Sequence, residues 1–127
     1  MNTVVAAVIE RDGMILIGQR RNKGPHALKW EFPGGKVEPP ETPEAALVRE
    51  LEEELAIRAR LSNEIMRYQY QYAGRNAFLL VFFRVAEFDG EPQNMAFEQI
   101  QWVRGDELEK YDFLEGDTPF IQRLCAG

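Results

Sequence analysis

The stretch "WEFPGGKVEPPETPEAALVRELEEELAI", residues 30–57, sets a run of glutamates against only two cations, Lys36 and Arg49. Like-charged pairs at helical spacing each cost on the order of a few tenths of a kcal/mol, so the crowding needs a reason. Thr42 suits an N-cap and Pro43 the first helical position. Glu44 then falls in the first turn, where the helix dipole favours an anion. At roughly 100° per residue, Leu47, Val48, Leu51 and Leu55 form one apolar stripe, which predicts a helix from Pro43 to about Ala56. Glu50, Glu53 and Glu54 fall on a flank beside that stripe, and Glu52 points to solvent. Carboxylates beside an apolar face are partly desolvated, which makes their repulsion costlier. One reading is a solvated acidic face. The other is a divalent cation: hard Mg2+ or Mn2+ takes carboxylates, water and substrate phosphate as ligands. The helix alone leaves both open.

The rest of the chain bounds the answer. Its 127 residues fit one domain, 1–127, large enough for a real core. Hydrophobic residues make up 45% and charged residues 28%, which is ordinary globular composition. A net charge of −6 argues against a nucleic acid polymer or an anionic membrane as partner. Cys125 is the only cysteine, so no internal disulfide forms, which fits a reducing compartment. The start "MNTVVAAVIERD" lacks the basic region and the apolar length of a signal peptide. The apolar run "AFLLVFF", residues 77–83, is far too short for a membrane span. A cytoplasmic protein is expected, as a monomer or homodimer.

Two apolar runs, "TVVAAVIE" and "MILIGQR", flank Asp12-Gly13, a strong hairpin signal. "RRNKGPHALKW" reads as a loop, and "FPGGKVEPPE" as a second loop whose paired glycines, Gly34 and Gly35, permit close approach of main chain to a ligand. "LSNEIMRYQYQY", "NAFLLVFFRVAEF" and "FEQIQWV" read as strands. "GDELEK" predicts a short helix, and a last one runs from Pro119 to about Cys125. Strands mixed with a few helices give an α/β or α+β layered domain.

From Gly35 the sequence runs five residues to Glu41 and seven more to Arg49-Glu50-Leu51-Glu52-Glu53-Glu54-Leu55-Ala56-Ile57. This resembles the Nudix box, with one departure: Ala56 stands where the family has glycine, which leaves the helix end in question. "WEFPGGKVE", "GQRR", "FEQIQWV" and "EGDTPFIQRL" are similar to the MutT-like and CTP-pyrophosphohydrolase-like branch. The resemblance implies the Nudix fold, a mixed β-sheet sandwiched between α-helices. It also implies a metal-dependent hydrolase of nucleoside triphosphates that cleans the nucleotide pool, with 8-oxo-dGTP or (d)CTP-type substrates. Two alternatives are a hydrolase of another nucleoside diphosphate-linked compound and a non-catalytic nucleotide-binding module. The acidic helix then has a purpose: metal ions reconcile glutamates with a polyphosphate and activate water.

Carried over by position, the resemblance makes Glu50, Glu53 and Glu54 the metal ligands, assisted by the Gly35 carbonyl, with Mg2+ expected and Mn2+ an alternative. Glu50 or Glu53 doubles as the catalytic base. Glu98 is a further ligand, the base, or a plain surface glutamate. Arg49 and Glu41 are expected to hold the loop against the helix. Among substrate-binding candidates, Arg21 closes "GQRR" as a phosphate donor, and Lys36 neutralises phosphate charge or is simply exposed. Phe32 and Phe78 are candidates for the base pocket, with core packing the alternative for Phe32. Thr118 before Pro119 already supplies an N-cap, so Asp117 is not needed there, and the resemblance implies that Asp117 reads the base edge as a hydrogen-bond acceptor. "YQYQY" puts Tyr68, Tyr70 and Tyr72 on one face, for packing or for stacking a base. His26 sits in a polar loop with no partners to place.

Overall fold

In the computed structural model, which describes residues 1–126, the chain builds β1 (Asn2–Val8), β2 (Glu10–Arg11), β3 (Met14–Gln19), β4 (Trp30–Glu31), β5 (Gly34–Lys36), α1 (Pro43–Leu55), β6 (Arg58–Tyr70), β7 (Phe78–Asp89), β8 (Gln99–Arg104) and α2 (Thr118–Ala126). Two short 3-10 helices, Gly105–Lys110 and Glu115–Asp117, lie between β8 and α2. The strands form two sheets. One has the order β5-β1-β7-β6, with β1 and β7 parallel and the other pairs antiparallel. The other joins β2, β3 and β4, with β8 paired to β3. Asp12 and Gly13 both have positive φ (54° and 78°), the geometry of the tight turn that closes β2 on β3.

Alternation along the central strands sorts side chains into two cores. Val5, Ala7, Val81, Phe83 and Val85 join Ala46, Leu47, Leu51 and Leu55 of α1. Ala6, Val8, Leu80 and Phe82 face the other way, onto Phe113, Phe120 and Ile121. Both faces of the first sheet are therefore covered, which is why β1 and β7 read as continuous apolar runs. This is the mixed α+β layering expected from the sequence. Among the described residues, no helix is long and apolar enough to cross a membrane.

Several local expectations shift. Thr42 does cap α1, accepting from the Ala45 amide at 3.1 Å, but the buried stripe uses Ala46 where Val48 was expected, and Val48 is only half-buried. The chain after α1 turns at Ala56, which adopts φ 57° and ψ 35° and bonds back to the Glu52 carbonyl. An alanine thus takes the left-handed conformation for which glycine is the usual residue. β3 stops at Gln19, leaving Arg20 and Arg21 outside it. Part of the Gly-Gly loop is strand: Gly34 and Gly35 lie opposite Ala6 and Val5. A Cβ on Gly34 would collide with the Val5 carbonyl, so the close pairing itself demands glycine. Thr118 is not an N-cap. Its backbone is already helical, and the 3-10 turn ending at Asp117 runs directly into α2.

Candidate functional site

A cavity of about 490 Å³ opens between the β5 edge of the first sheet, the turn before α2 and the two loops that follow β3 and β6. Gly35, Lys36, Glu31, Glu54 and Arg20 line one end, and Phe32, Phe78, Tyr72, Leu114 and Asp117 line the other. A second cavity of about 290 Å³ shares Arg20, Glu31 and Glu54 and adds Arg21, Lys23, Ala96 and Phe97. Two carboxylates, Glu31 and Glu54, therefore stand in the wall common to an aromatic cavity and a basic one.

The helix brings Glu50 and Glu54 inward. Glu54 accepts the Gly34 amide at 3.0 Å. Burial, reinforced by Glu31 and Glu50, still pushes its carboxyl up to about 8. Burial also raises Glu50, against the pull of the Arg49 guanidinium. Glu53 is more exposed and turns onto Arg49, at 3.3 Å. Arg49 is the hub of the segment: it bonds Glu41 at 2.7 and 3.1 Å, Glu50 at 3.0 Å and the Lys36 carbonyl at 3.2 Å. Its position at the edge of the glutamate trio, set by the sequence, thus neutralises two of the three. Glu52 is exposed, as the helical spacing predicts.

Glu31 is the residue that sequence reasoning missed. It lies on β4, is buried deeply enough for its carboxyl to be raised, and is held by Arg20 at 3.1 Å. No local signal marks it, because its burial and its ion pair with Arg20 are tertiary. Arg20 and Arg21 diverge. Arg20 lines both cavities, whereas Arg21 gives its Nε–H to the Ala96 carbonyl at 3.2 Å and lines only the second.

The residues fit a hard divalent cation by chemistry. Glu50 and Glu54 are partly or largely buried oxygen donors whose charge burial disfavours, and Glu53 is a more exposed one that raises both. Gly35 is cut back to make room: a Cβ there would sit 2.5 Å from the Glu50 carboxyl carbon. As they stand, no three His, Cys, Asp or Glu side chains among the described residues are grouped to hold a metal. Arg49 occupies Glu50 and Glu53 instead. Glu98 is exposed, with its amide on the Gln19 carbonyl at 2.8 Å, and it lines neither cavity.

At the aromatic end, Phe32 is both core and lining. It is buried against Phe82, Phe113 and Phe120, with ring centroids 5.3 to 6.0 Å away. Phe78 is half-buried and lies nearly parallel to Tyr72, at an interplanar angle of 12°. Asp117 is buried, hydrogen-bonded by the Phe32 amide, and pushed up to about 8 by desolvation and by Glu31. In its protonated form the carboxyl offers a donor as well as the acceptor expected from sequence. His26, from the loop after β3, packs on Tyr72 at 4.7 Å and also lines the cavity, with Arg75.

The chain is 40% identical over 126 residues to the CTP pyrophosphohydrolase of Escherichia coli K12, covering 99% of this chain and 93% of that one. It is 37% identical over 122 residues to the 8-oxo-dGTP diphosphatase of Haemophilus influenzae, covering 95% and 89%. The crystal structure of a MutT NUDIX hydrolase from Burkholderia pseudomallei superposes with a TM-score of 0.84 at 28% identity, over 95% of each chain. The NUDIX domain matches residues 1–124, and with relatives of this similarity over nearly its whole length the chain belongs to the Nudix hydrolase family.

Proposed function

We propose that this Nudix hydrolase is a nucleoside triphosphate pyrophosphohydrolase of the nucleotide pool, acting on 8-oxo-dGTP or (d)CTP-type substrates and releasing nucleoside monophosphate and pyrophosphate. The observation that carries it is the wall of Glu31 and Glu54 between an aromatic cavity and a basic one. A nucleotide has the same division, a flat base at one end and a polyphosphate at the other. The names of the relatives, CTP pyrophosphohydrolase and 8-oxo-dGTP diphosphatase, support the same reading.

Divalent metal dependence is general in the family, and Mg2+, with Mn2+ as a substitute, is the cation we assign. Glu50, Glu53 and Glu54 would hold it with the Gly35 carbonyl, with Glu98 as a further ligand or the base. When bound, the cation neutralises phosphate charge, polarises phosphorus and acidifies water. The protein's own residues do the rest. Arg49 must release Glu50 and Glu53 while Glu41 keeps its hold on the guanidinium, so the ion pair to Glu41 keeps the loop in place. Glu50, Glu53 or Glu98 takes the proton from the attacking water as the α–β phosphoanhydride bond breaks. Lys36 and Arg21 bind phosphate oxygens from the two sides of the wall. Phe32 and Phe78 flank the base, and the Asp117 carboxyl reads its edge.

The test is a turnover screen over normal and damaged nucleoside triphosphates with product identification. Monophosphate and pyrophosphate from an oxidised purine or a cytidine triphosphate are expected. Activity confined to nucleotide sugars or dinucleotides would overturn the substrate assignment.

A further inference from the structure

The tyrosines of "YQYQY" have a role that packing does not account for. Tyr68, on β6, donates its hydroxyl hydrogen to the Gly116 carbonyl at 2.6 Å. Tyr72, two residues past the strand's end, accepts the Gly116 amide at 2.9 Å. Both backbone groups of one glycine are thus held by two side chains from the same face. The peptide that follows carries Asp117, and its other end is fixed too: the Asp117 amide donates to the Leu114 carbonyl at 3.0 Å. Gly116 cannot carry a side chain under this grip, since a Cβ would meet the Tyr72 hydroxyl at 2.9 Å and Tyr70 at 3.4 Å. Tyr72 also touches His26 and lies parallel to Phe78, so one ring spans the aromatic end of the cavity and the turn beneath it.

We propose that Tyr68 and Tyr72 are positioning residues for base selection, fixing through Gly116 where the Asp117 carboxyl sits at the cavity. This rests on the reading of Asp117 as the residue that reads the base edge. A base edge is discriminated by hydrogen bonds whose strength falls steeply with misalignment. A short 3-10 turn of three residues does not by itself hold a side chain that firmly. The Phe32 amide holds the carboxyl itself, the two hydroxyls fix the backbone that carries it, and deleting either one shifts the Asp117 carboxyl without touching the glutamates of α1.

The experiment compares kcat/KM for cytidine, guanosine and 8-oxo-guanosine deoxytriphosphates in wild type, Tyr68→Phe, Tyr72→Phe, Asp117→Ala and the double variant Tyr72→Phe/Asp117→Ala. Ratios between substrates are used because the fraction of folded enzyme cancels in them, so a partly unstable variant still reports. Each Tyr→Phe change is expected to shift the ratios by about three- to tenfold, the range of one lost hydrogen bond. The shift should appear mainly in KM. The double variant should show the ratios of Asp117→Ala alone, because the tyrosine acts only through that carboxyl. Ratios that stay within about twofold in both Tyr→Phe variants, below what a lost hydrogen bond costs, would overturn the proposal. So would effects of Tyr72→Phe and Asp117→Ala that multiply. If Asp117→Ala alone leaves the ratios unchanged, the base-reading role fails at its root and the positioning role falls with it. That result is separable from the first, in which Asp117 matters and the tyrosines do not.

Discussion

Gly35 faces Glu50 so closely that a Cβ on the glycine would lie 2.5 Å from the carboxyl carbon and 2.6 Å from one of its oxygens. The contact joins the β5 strand to the middle of α1, and it is the far end of a flexible side chain that would have to give way. Gly35→Ala should therefore fold and melt close to wild type. Displacing Glu50 should lower kcat roughly ten- to a hundredfold, the scale of a misplacement near 1 Å. Thermal melting and steady-state kinetics on one preparation check both halves, and unchanged kcat would remove Glu50 from the chemistry.

Adjacent glutamates should behave differently. Glu53 is tied to Arg49 on the cluster side of α1, and Glu52 faces solvent. Glu53→Gln should cut turnover by about 10²- to 10⁴-fold, in the range of a lost base or ligand, with the fold intact. Glu52→Gln should change little. Similar kinetics for the two would show that the carboxylate cluster is placed on the wrong residues.

What was legible in the sequence follows the range of the interaction. Thr42, Pro43 and the apolar spacing specify α1 locally, and the glutamate flank follows from helical geometry, so both were readable. Val48 and Ala46 exchange places because α1 packs against β1, β5 and β6 together, which spacing alone does not record. β4 and β5 are two and three residues long and are strands only because β3 and β1 lie beside them. Glu31 was invisible for the same reason: its burial and its ion pair with Arg20 are tertiary. The burial of Asp117 was not legible either, since it arises only because the chain folds over it.

The end of α1 offers a direct stability test. Ala56 holds a left-handed backbone at φ 57°, which costs an L-residue with a Cβ about 1–2 kcal/mol. Glycine removes that cost and loses part of the gain to a freer unfolded chain, about 0.4–1 kcal/mol. Ala56→Gly should therefore stabilise by about 0.5–1 kcal/mol, read as a higher denaturant midpoint with an unchanged slope. A lower midpoint would contradict this account of the helix end.

Asp117 sets a pH dependence. Its folded carboxyl is raised from 3.8 to about 8, so between those values the native state keeps a proton that the unfolded chain has lost. Stability from this group is full below about pH 4 and is lost as pH rises toward about 8. Asp117→Asn cannot titrate, so its denaturation midpoint should gain on wild type steadily across that window when both are measured in chelator. A difference that stays flat with pH would mean that Asp117 is ionised throughout. In wild type, preference among bases should also change as pH passes about 8 and the carboxyl ceases to donate. The amide variant should show no such change.

The central claim is a metal-dependent cut between the α and β phosphates, and one measurement addresses it directly. The protein is incubated with CTP or 8-oxo-dGTP, with Mg2+ or with excess chelator, and the phosphorus-containing products are resolved. The account predicts monophosphate and pyrophosphate in equal amounts with Mg2+, and no turnover in chelator. Full turnover in chelator, or release of inorganic phosphate with a nucleoside diphosphate left behind, would contradict it.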